Sequence, residues 1–234
     1  MNNGDTENAG GALTLSLLER LARYDTPTLS NAIETFEVRP RDEGFASMEI
    51  RCMFPDLGPM VGYAATTTMV ARGPGRSDPA PLWGHVQRIP GPRVVVVEDL
   101  DDKPGQGAMW GEVNATIFTA LGCVGTVTNG SVRDLDEVRA MNFRLFARGV
   151  GVSHAYQRVR SVGEPVIVGG LRVEPGDLIH ADKHGVLLIP LEVAAELPAA
   201  ADRLIAREQR LIQWVRSAEF DPRRVGEMRE SIRH

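Results

Sequence analysis

GEVNATIFTALGCVGTVTNGSVRDLDEVRAMNFRLFA, residues 111–147, is the stretch whose reading decides the fold. A helical pattern over residues 111–121 leads into an apolar run at 123–127, and a second helical pattern over 135–141 leads into another run at 144–147. Just upstream, RVVVVE at residues 93–98 is a short continuous apolar run of the kind a strand shows when both of its faces are covered. Strands alternating with helices in this order predict a parallel sheet joined by right-handed crossovers.

Working outward, Leu13, Leu17, Leu18 and Leu21 recur at helical spacing, and Asp25-Thr26-Pro27 ends that helix and starts another that runs to Phe36. GPMVGYAATTTMVA, residues 58–71, is rich in small and β-branched residues and reads as a strand. Gly73-Pro74-Gly75 and Ser77-Asp78-Pro79 mark a loop before a short helix at 81–88. Downstream, short alternating runs at 165–168, 171–173, 178–180 and 185–189 are punctuated by Gly169-Gly170, Pro175-Gly176 and His184-Gly185, which predicts hairpins. Beyond residue 191, Leu204, Ile205, Leu211, Ile212 and Val215 form a helical stripe that Pro198 either starts or kinks. The charged tail at 220–234 reads as a small helix suited to docking on a neighbour. With no repeat and no linker, residues 13–234 are expected to form one domain with a helical extension from about residue 191. Residues 1–12 are polar and Gly-rich and read as a flexible tail.

The chain has 234 residues, 43% of them hydrophobic and 24% charged, enough to bury a core without staples. A net charge of −5 offers no broad attraction to phosphate backbones or anionic lipid, so neither nucleic acid nor membrane is an expected partner. Cys52 and Cys123 stand far apart in apolar company and read as reduced core thiols. The start lacks the basic and apolar segments of a signal peptide, and no window approaches the roughly 18 apolar residues a membrane span needs. A cytoplasmic protein is the expectation.

Two segments carry candidate chemistry, because ligands of α/β sheets bind beside the carboxyl ends of strands. At Gly111-Glu112-Val113-Asn114 the glycine allows close backbone approach, and the free N–H groups of a helix start can hold a carboxylate. At Asn129-Gly130-Ser131-Val132-Arg133-Asp134, Arg133 can fork onto a carboxylate or keto oxygen and Asp134 can anchor a hard divalent cation. Asp134 followed by Glu137 is equally an ordinary capping box, and Gly111–Asn114 equally a plain helix start, so both readings stand here.

Gly111-Glu112 followed by Arg133-Asp134-x-x-Glu137 resembles the signature of the family that groups 4-hydroxy-4-methyl-2-oxoglutarate aldolases with the ribonuclease E activity regulators, the RraA-like proteins. Residues 59–64, 125–138, 146–149, 175–177 and 184–190 share the likeness, which spans roughly residues 13–215. The resemblance implies an α/β fold of the layered β/β/α swivelling type (phosphohistidine-domain-like) with flanking N- and C-terminal helices. It implies a homotrimer or homohexamer with sites between subunits, and Mg²⁺ or Mn²⁺ held by one aspartate and water. Carried onto this chain, Asp134 is the metal ligand, Arg133 binds substrate and acts in catalysis, and the backbone of Gly111, Glu112, Val113 and Asn114 cradles the substrate carboxylate. Glu112 falls where the aldolases tend to carry an acid, and Val113-Asn114 replaces a more apolar pair, which bears on substrate identity. No glycine-rich nucleotide fingerprint accompanies these residues, although members have often been labelled menaquinone methyltransferases.

The implied reaction is metal-dependent cleavage of a 4-hydroxy-2-oxo acid to pyruvate and a second carbonyl compound. The metal acts as a Lewis acid on the keto oxygen, Arg133 adds positive charge there, and water steered by Glu112 removes the C4 hydroxyl proton. The same enolate arises from oxaloacetate when CO₂ leaves, so decarboxylation is an expected side activity. His154 follows a predicted strand end and is a candidate pocket residue beside Tyr156, whereas a lone histidine is more often structural. His180 and His184 read as structural, Met109 and Trp110 as packing, and Asp99, Asp101 and Asp102 as a solvated loop or a source of outer charge. The competing functions are a regulator that docks on a ribonuclease and an enzyme acting on another 2-oxo or sugar acid.

Overall fold

A computed structural model describes residues 12–231. The expected N-terminal tail falls almost wholly in residues 1–11, outside the described residues. The parallel core has the predicted order: β2 (Met60–Val70), α3 (Ala80–Arg88), β3 (Arg93–Asp99), α4 (Glu112–Ala120), β4 (Cys123–Thr128), α5 (Leu135–Ala140) and β6 (Arg144–Ala147). Strands β2, β3, β4 and β6 pair in parallel, neighbour to neighbour. Antiparallel additions extend this core at both ends. β1 (Arg51–Cys52) joins β6, while the hairpin of β11 (Leu178–Asp182) and β12 (Gly185–Ile189) joins the first half of β2. The second half of that long strand pairs instead with β8 (Arg158–Val162), across a register shift at Thr68/Met69.

Period-2 alternation sorts the strand side chains into two layers. Val95 and Val97 face the helices, among Leu82, Phe118, Val138, Leu29 and Leu197. Val94 and Val96 face the other way, onto a separate hairpin of β9 (Val166–Val168) and β10 (Leu171–Val173). Every one of these four valines is fully buried, which contributes roughly 1.5–3 kcal/mol apiece. The layers are therefore hairpin, main sheet and helices, the β/β/α arrangement that the resemblance implied.

The helical layer is completed by α1 (Leu15–Leu21), α2 (Thr26–Glu34) and the first half of α6 (Leu197–Val215). Pro198 sits in the first turn of α6 and starts it, where its missing N–H is harmless. Near the end of the chain a short α7 (Val225–Ser231) forms, with no buried residue. Among the described residues no helix is long and apolar enough to cross a membrane.

At the carboxyl ends of the parallel strands, β5 (Ser131–Val132) pairs with β7 (Gly149–Val150), and Trp110 bridges to Val132 on the other side. Arg133 N–H donates to Trp110 O at 2.9 Å and Gly151 N–H to Val132 O at 2.9 Å. This small ribbon carries Arg133 and Asp134 to the start of α4.

Candidate active site

Gly111 is the residue before α4, in extended backbone, and it has no side chain to spare for capping. A Cβ placed there would collide with Asp134 Oδ2 and press on the Arg133 side chain, so the glycine is required by close approach. The main-chain N–H of Glu112 donates to Asp134 Oδ2 at 3.0 Å. Asp134 thus caps α4, a helix to which it does not belong. It makes no side-chain cap on its own helix α5, so the capping-box alternative is not the one that forms. The cause is local backbone: at φ 52° and ψ 49° Asp134 is left-handed, a conformation Asp tolerates better than most residues, and this turns its side chain away from α5.

Around that carboxylate one acceptor and two kinds of donor remain open. Asp134 Oδ1 has no hydrogen-bond partner among the described residues. The Arg133 guanidinium approaches Asp134 Oδ2 at 3.7 Å, with both side chains 34% exposed, and makes no other bond among the described residues. The N–H groups of Val113 and Asn114, in the first turn of α4, likewise find no acceptor there, while Ala115 N–H already bonds Gly111 O at 3.0 Å. Two unpaired N–H groups, the positive end of a helix and a guanidinium form a receptor for a carboxylate.

The remaining sequence candidates are placed differently. Glu112 extends into solvent beside Asp134, and Val113 is 70% exposed. The Asn114 side chain turns back to donate from Nδ2 to Met109 O at 2.6 Å, which pins the loop entering α4. His154 is exposed, with Nδ1 2.7 Å from Ala155 O, and lines a separate depression with Arg76 and Tyr156. It shares no contact with Arg133 or Asp134. Trp110 is fully buried, stacked on Phe143 and edge-on to Phe118, as a packing residue should be.

Of the acidic cluster, Asp102 is exposed, whereas Asp99 and Asp101 are tied into the fold. Asp99 is 2% exposed and accepts from Gly105 N–H at 2.7 Å and Asp101 N–H at 3.1 Å, and burial pushes its carboxyl up despite those bonds. Asp101 accepts from Ala71 and Arg72 N–H. Asn129, to which sequence reasoning assigned no role, clamps the Asp99 backbone on both sides: Oδ1 accepts from Asp99 N–H at 2.7 Å and Nδ2 donates to Asp99 O at 3.1 Å. This bracket ties the end of β3 to the turn that launches Arg133. An Asn-Gly dipeptide after a buried strand was the available signal.

His180 lies in a buried polar network with Thr26 and Asp182, and the exposed His184 joins it from the surface. His180 is fully buried with Nδ1 3.0 Å from Thr26 Oγ1, and burial pushes its pKa down to about 4. Asp182 accepts from Thr26 N–H at 3.0 Å and His184 N–H at 2.8 Å. Its burial works to raise the carboxyl, yet these bonds prevail and hold it low.

Comparison with known proteins places this geometry. The aldolase/RraA family model, described as RraA-like, matches residues 26–188. A protein of Halalkalibacterium halodurans, provisionally named 4-hydroxy-4-methyl-2-oxoglutarate aldolase, is 32% identical over 127 residues, covering 54% of this chain and 58% of that one. Protein DlpA of Legionella pneumophila is 29% identical over 131 residues, covering 54% of this chain and 21% of its own. Each match thus spans less than two thirds of the relative's length. In fold, the chain is similar to an uncharacterized protein from Pseudomonas syringae, with TM-score 0.71, 24% identity and coverage of 94% and 95%. It is also similar to Streptomyces coelicolor RraAS2, described as an unusual member of the RNase ES inhibitor RraA protein family, with TM-score 0.66, 24% identity and coverage of 84% and 95%. The family model spans well over half of the sequence and contains the Gly111 and Arg133-Asp134 segments, so this chain belongs to the aldolase/RraA (RraA-like) family.

Proposed function

We propose that the chain is a divalent-metal-dependent lyase that cleaves a 4-hydroxy-2-oxo acid to pyruvate and a second carbonyl compound. The observation that carries this reading is Asp134: one carboxylate oxygen is fixed on the Glu112 N–H and the other is open, beside Arg133 and the two free N–H groups of α4. The names of the aldolase relatives support the same class.

Mg²⁺ or Mn²⁺ fits the donors present. No group of three His, Cys, Asp or Glu that could hold an ion comes together among the described residues, so Asp134 would be the one side-chain ligand and water and substrate would supply the rest, as is common for Mg²⁺. When bound, the ion supplies Lewis acidity at the substrate's keto oxygen. The N–H groups of Val113 and Asn114 hold the C1 carboxylate and orient the chain. Arg133 stabilises the negative charge that reaches the C2 oxygen as the C3–C4 electron pair moves to C3, a contribution typically worth roughly 10²–10³ in rate. Glu112, exposed at the rim, takes the C4 hydroxyl proton through water, and C3 is then protonated to give pyruvate. Loss of CO₂ from oxaloacetate produces the same enolate, so that decarboxylation accompanies the main activity.

The site lies under an uncovered apolar rim. Val113, Val150 and Val152 are 70%, 60% and 96% exposed, and Val150 faces Val132 across the β5–β7 pair. This supports a homotrimer or homohexamer in which a second copy covers the site. A small 2-oxo acid is the partner that the donors suit.

The test is pyruvate release from 4-hydroxy-2-oxo acids and from oxaloacetate with Mg²⁺ or Mn²⁺ supplied. Release that stops with a chelator, and in Arg133→Ala, is expected. Protein that releases no pyruvate from any of these acids with either metal is not this lyase.

A further inference from the structure

A recess of about 210 Å³ opens beside the start of α4, walled by Met69, Leu82, Trp83 and Phe118, with the amides of Asn114 and Gln157 among its edges. It includes neither Arg133 nor Asp134, yet it adjoins their site through a shared residue. Asn114 offers its main-chain N–H to the carboxylate receptor and its side chain to the recess wall.

The wall is chiefly aromatic and aliphatic, with one cation at its border. Arg158 borders the recess, but its guanidinium donates to the carbonyls of Gly73, Tyr156 and Arg72 and is held by them. Gln157 Oε1 is buried with no hydrogen-bond partner among the described residues. An anion entering here would shed its water against mostly apolar side chains and meet only a guanidinium already turned onto the carbonyls of Gly73 and Arg72. An apolar group meets aromatic and aliphatic surface, and a cavity of about 150 Å³ with such a lining already admits benzene.

We propose that this recess takes the C4 arm of the substrate, and that the arm is uncharged: an aryl or branched alkyl group. The inference rests on the lyase reading of Arg133 and Asp134, and it narrows that reading. It sets this chain apart from enzymes whose substrate carries a second carboxylate at that end.

The experiment compares pyruvate release from 4-hydroxy-2-oxo-4-phenylbutanoate and from 4-hydroxy-2-oxoglutarate, with Mg²⁺ present. The phenyl acid is expected to show at least about tenfold higher kcat/KM, in the range hydrophobic pockets deliver. Ser77→Trp, which adds bulk at an exposed edge of the recess, should cut the ratio of the two by about tenfold. Saturation-transfer NMR with benzyl alcohol provides a readout without turnover: binding to the wild type and its loss in Ser77→Trp are expected. Preference for the dicarboxylate, or benzyl alcohol signals indifferent to Ser77→Trp, overturns the inference while leaving the lyase intact. Benzyl alcohol binding that Ser77→Trp abolishes, in protein that never yields pyruvate, supports the apolar recess and defeats the lyase reading.

Discussion

Asp134 Oδ2 accepts the Glu112 N–H at 3.0 Å, so the carboxylate proposed as a metal ligand also caps α4, the helix proposed to hold the substrate carboxylate. Structure and chemistry are joined in one side chain, and substitutions can pull them apart. Asp134→Asn keeps an oxygen acceptor for the cap but removes the charge. Its melting temperature should stay close to wild type while metal-dependent pyruvate release falls by at least about 10²-fold. Asp134→Ala should lose the activity and also about 1 kcal/mol of stability, read by urea denaturation. An Asn variant as active as wild type would remove Asp134 from the metal site.

Gly111→Ala tests close approach. The added methyl meets Asp134 Oδ2 and the Arg133 side chain, and Asp134 cannot withdraw without giving up its bond to the Glu112 N–H. The expected result is a fall in kcat/KM of about 10²-fold, since small misplacements of catalytic groups carry such penalties. Thermal unfolding should show a loss of no more than about 1 kcal/mol, that of the lost cap, because both side chains are one-third exposed and can swing aside.

Asn129→Ala removes both bonds of the bracket that ties β3 to the turn before Arg133. The Asp99 N–H and C=O lose their partners, a cost of roughly 1–3 kcal/mol for each group left buried and unpaired. Because Asn129 acts through the position of Arg133, kcat should fall with little change in the pH profile. Hydrogen exchange at Gly130–Val132 should quicken in the same variant.

Acid should unfold the protein partly through His180. Its pKa is about 4 in the folded chain, with burial the chief cause, against 6.5 for the ordinary group. Between these values the unfolded chain binds the proton that the folded chain refuses, so stability falls as pH drops from about 6.5 to about 4, by roughly 3 kcal/mol if the whole shift is expressed. His85, also lowered by burial, acts in the same direction. Asp99 and Asp177, both raised by burial, act in the opposite one. Comparison with His180→Gln isolates the contribution: urea denaturation at pH 7 and pH 4.5 should differ less in the variant than in the wild type.

The parallel core was readable because its periods are clean. Residues 93–98 alternate between two buried faces, and helical spacing on either side of 123–127 leaves little choice of topology. β8 escaped notice because Arg158-Val-Arg-Ser-Val162 is half polar and becomes a strand only by pairing with the far half of β2. β5 and β7 are two residues long and owe their existence to each other and to Trp110. The site was legible in part. The sequence named Gly111, Arg133 and Asp134, which the fold brings together, but it also named His154, which lies in another depression. The direction of the Asp134 side chain follows from a left-handed backbone set by tertiary pairing, which no local pattern announces. Asp99 looked like a surface charge, and only the return of Asn129 and Gly105 upon it explains its burial.

The left-handed turn at position 134 also restricts which replacements are innocent. β-branched residues are penalised there, and Asp and Asn combine tolerance of that backbone with an oxygen at the length that reaches the Glu112 N–H. Of those two only Asp is charged. On the lyase reading proposed above, exchanging one oxygen for an amide nitrogen would leave an intact scaffold with silent chemistry, so loss of activity here need not leave any trace in the fold.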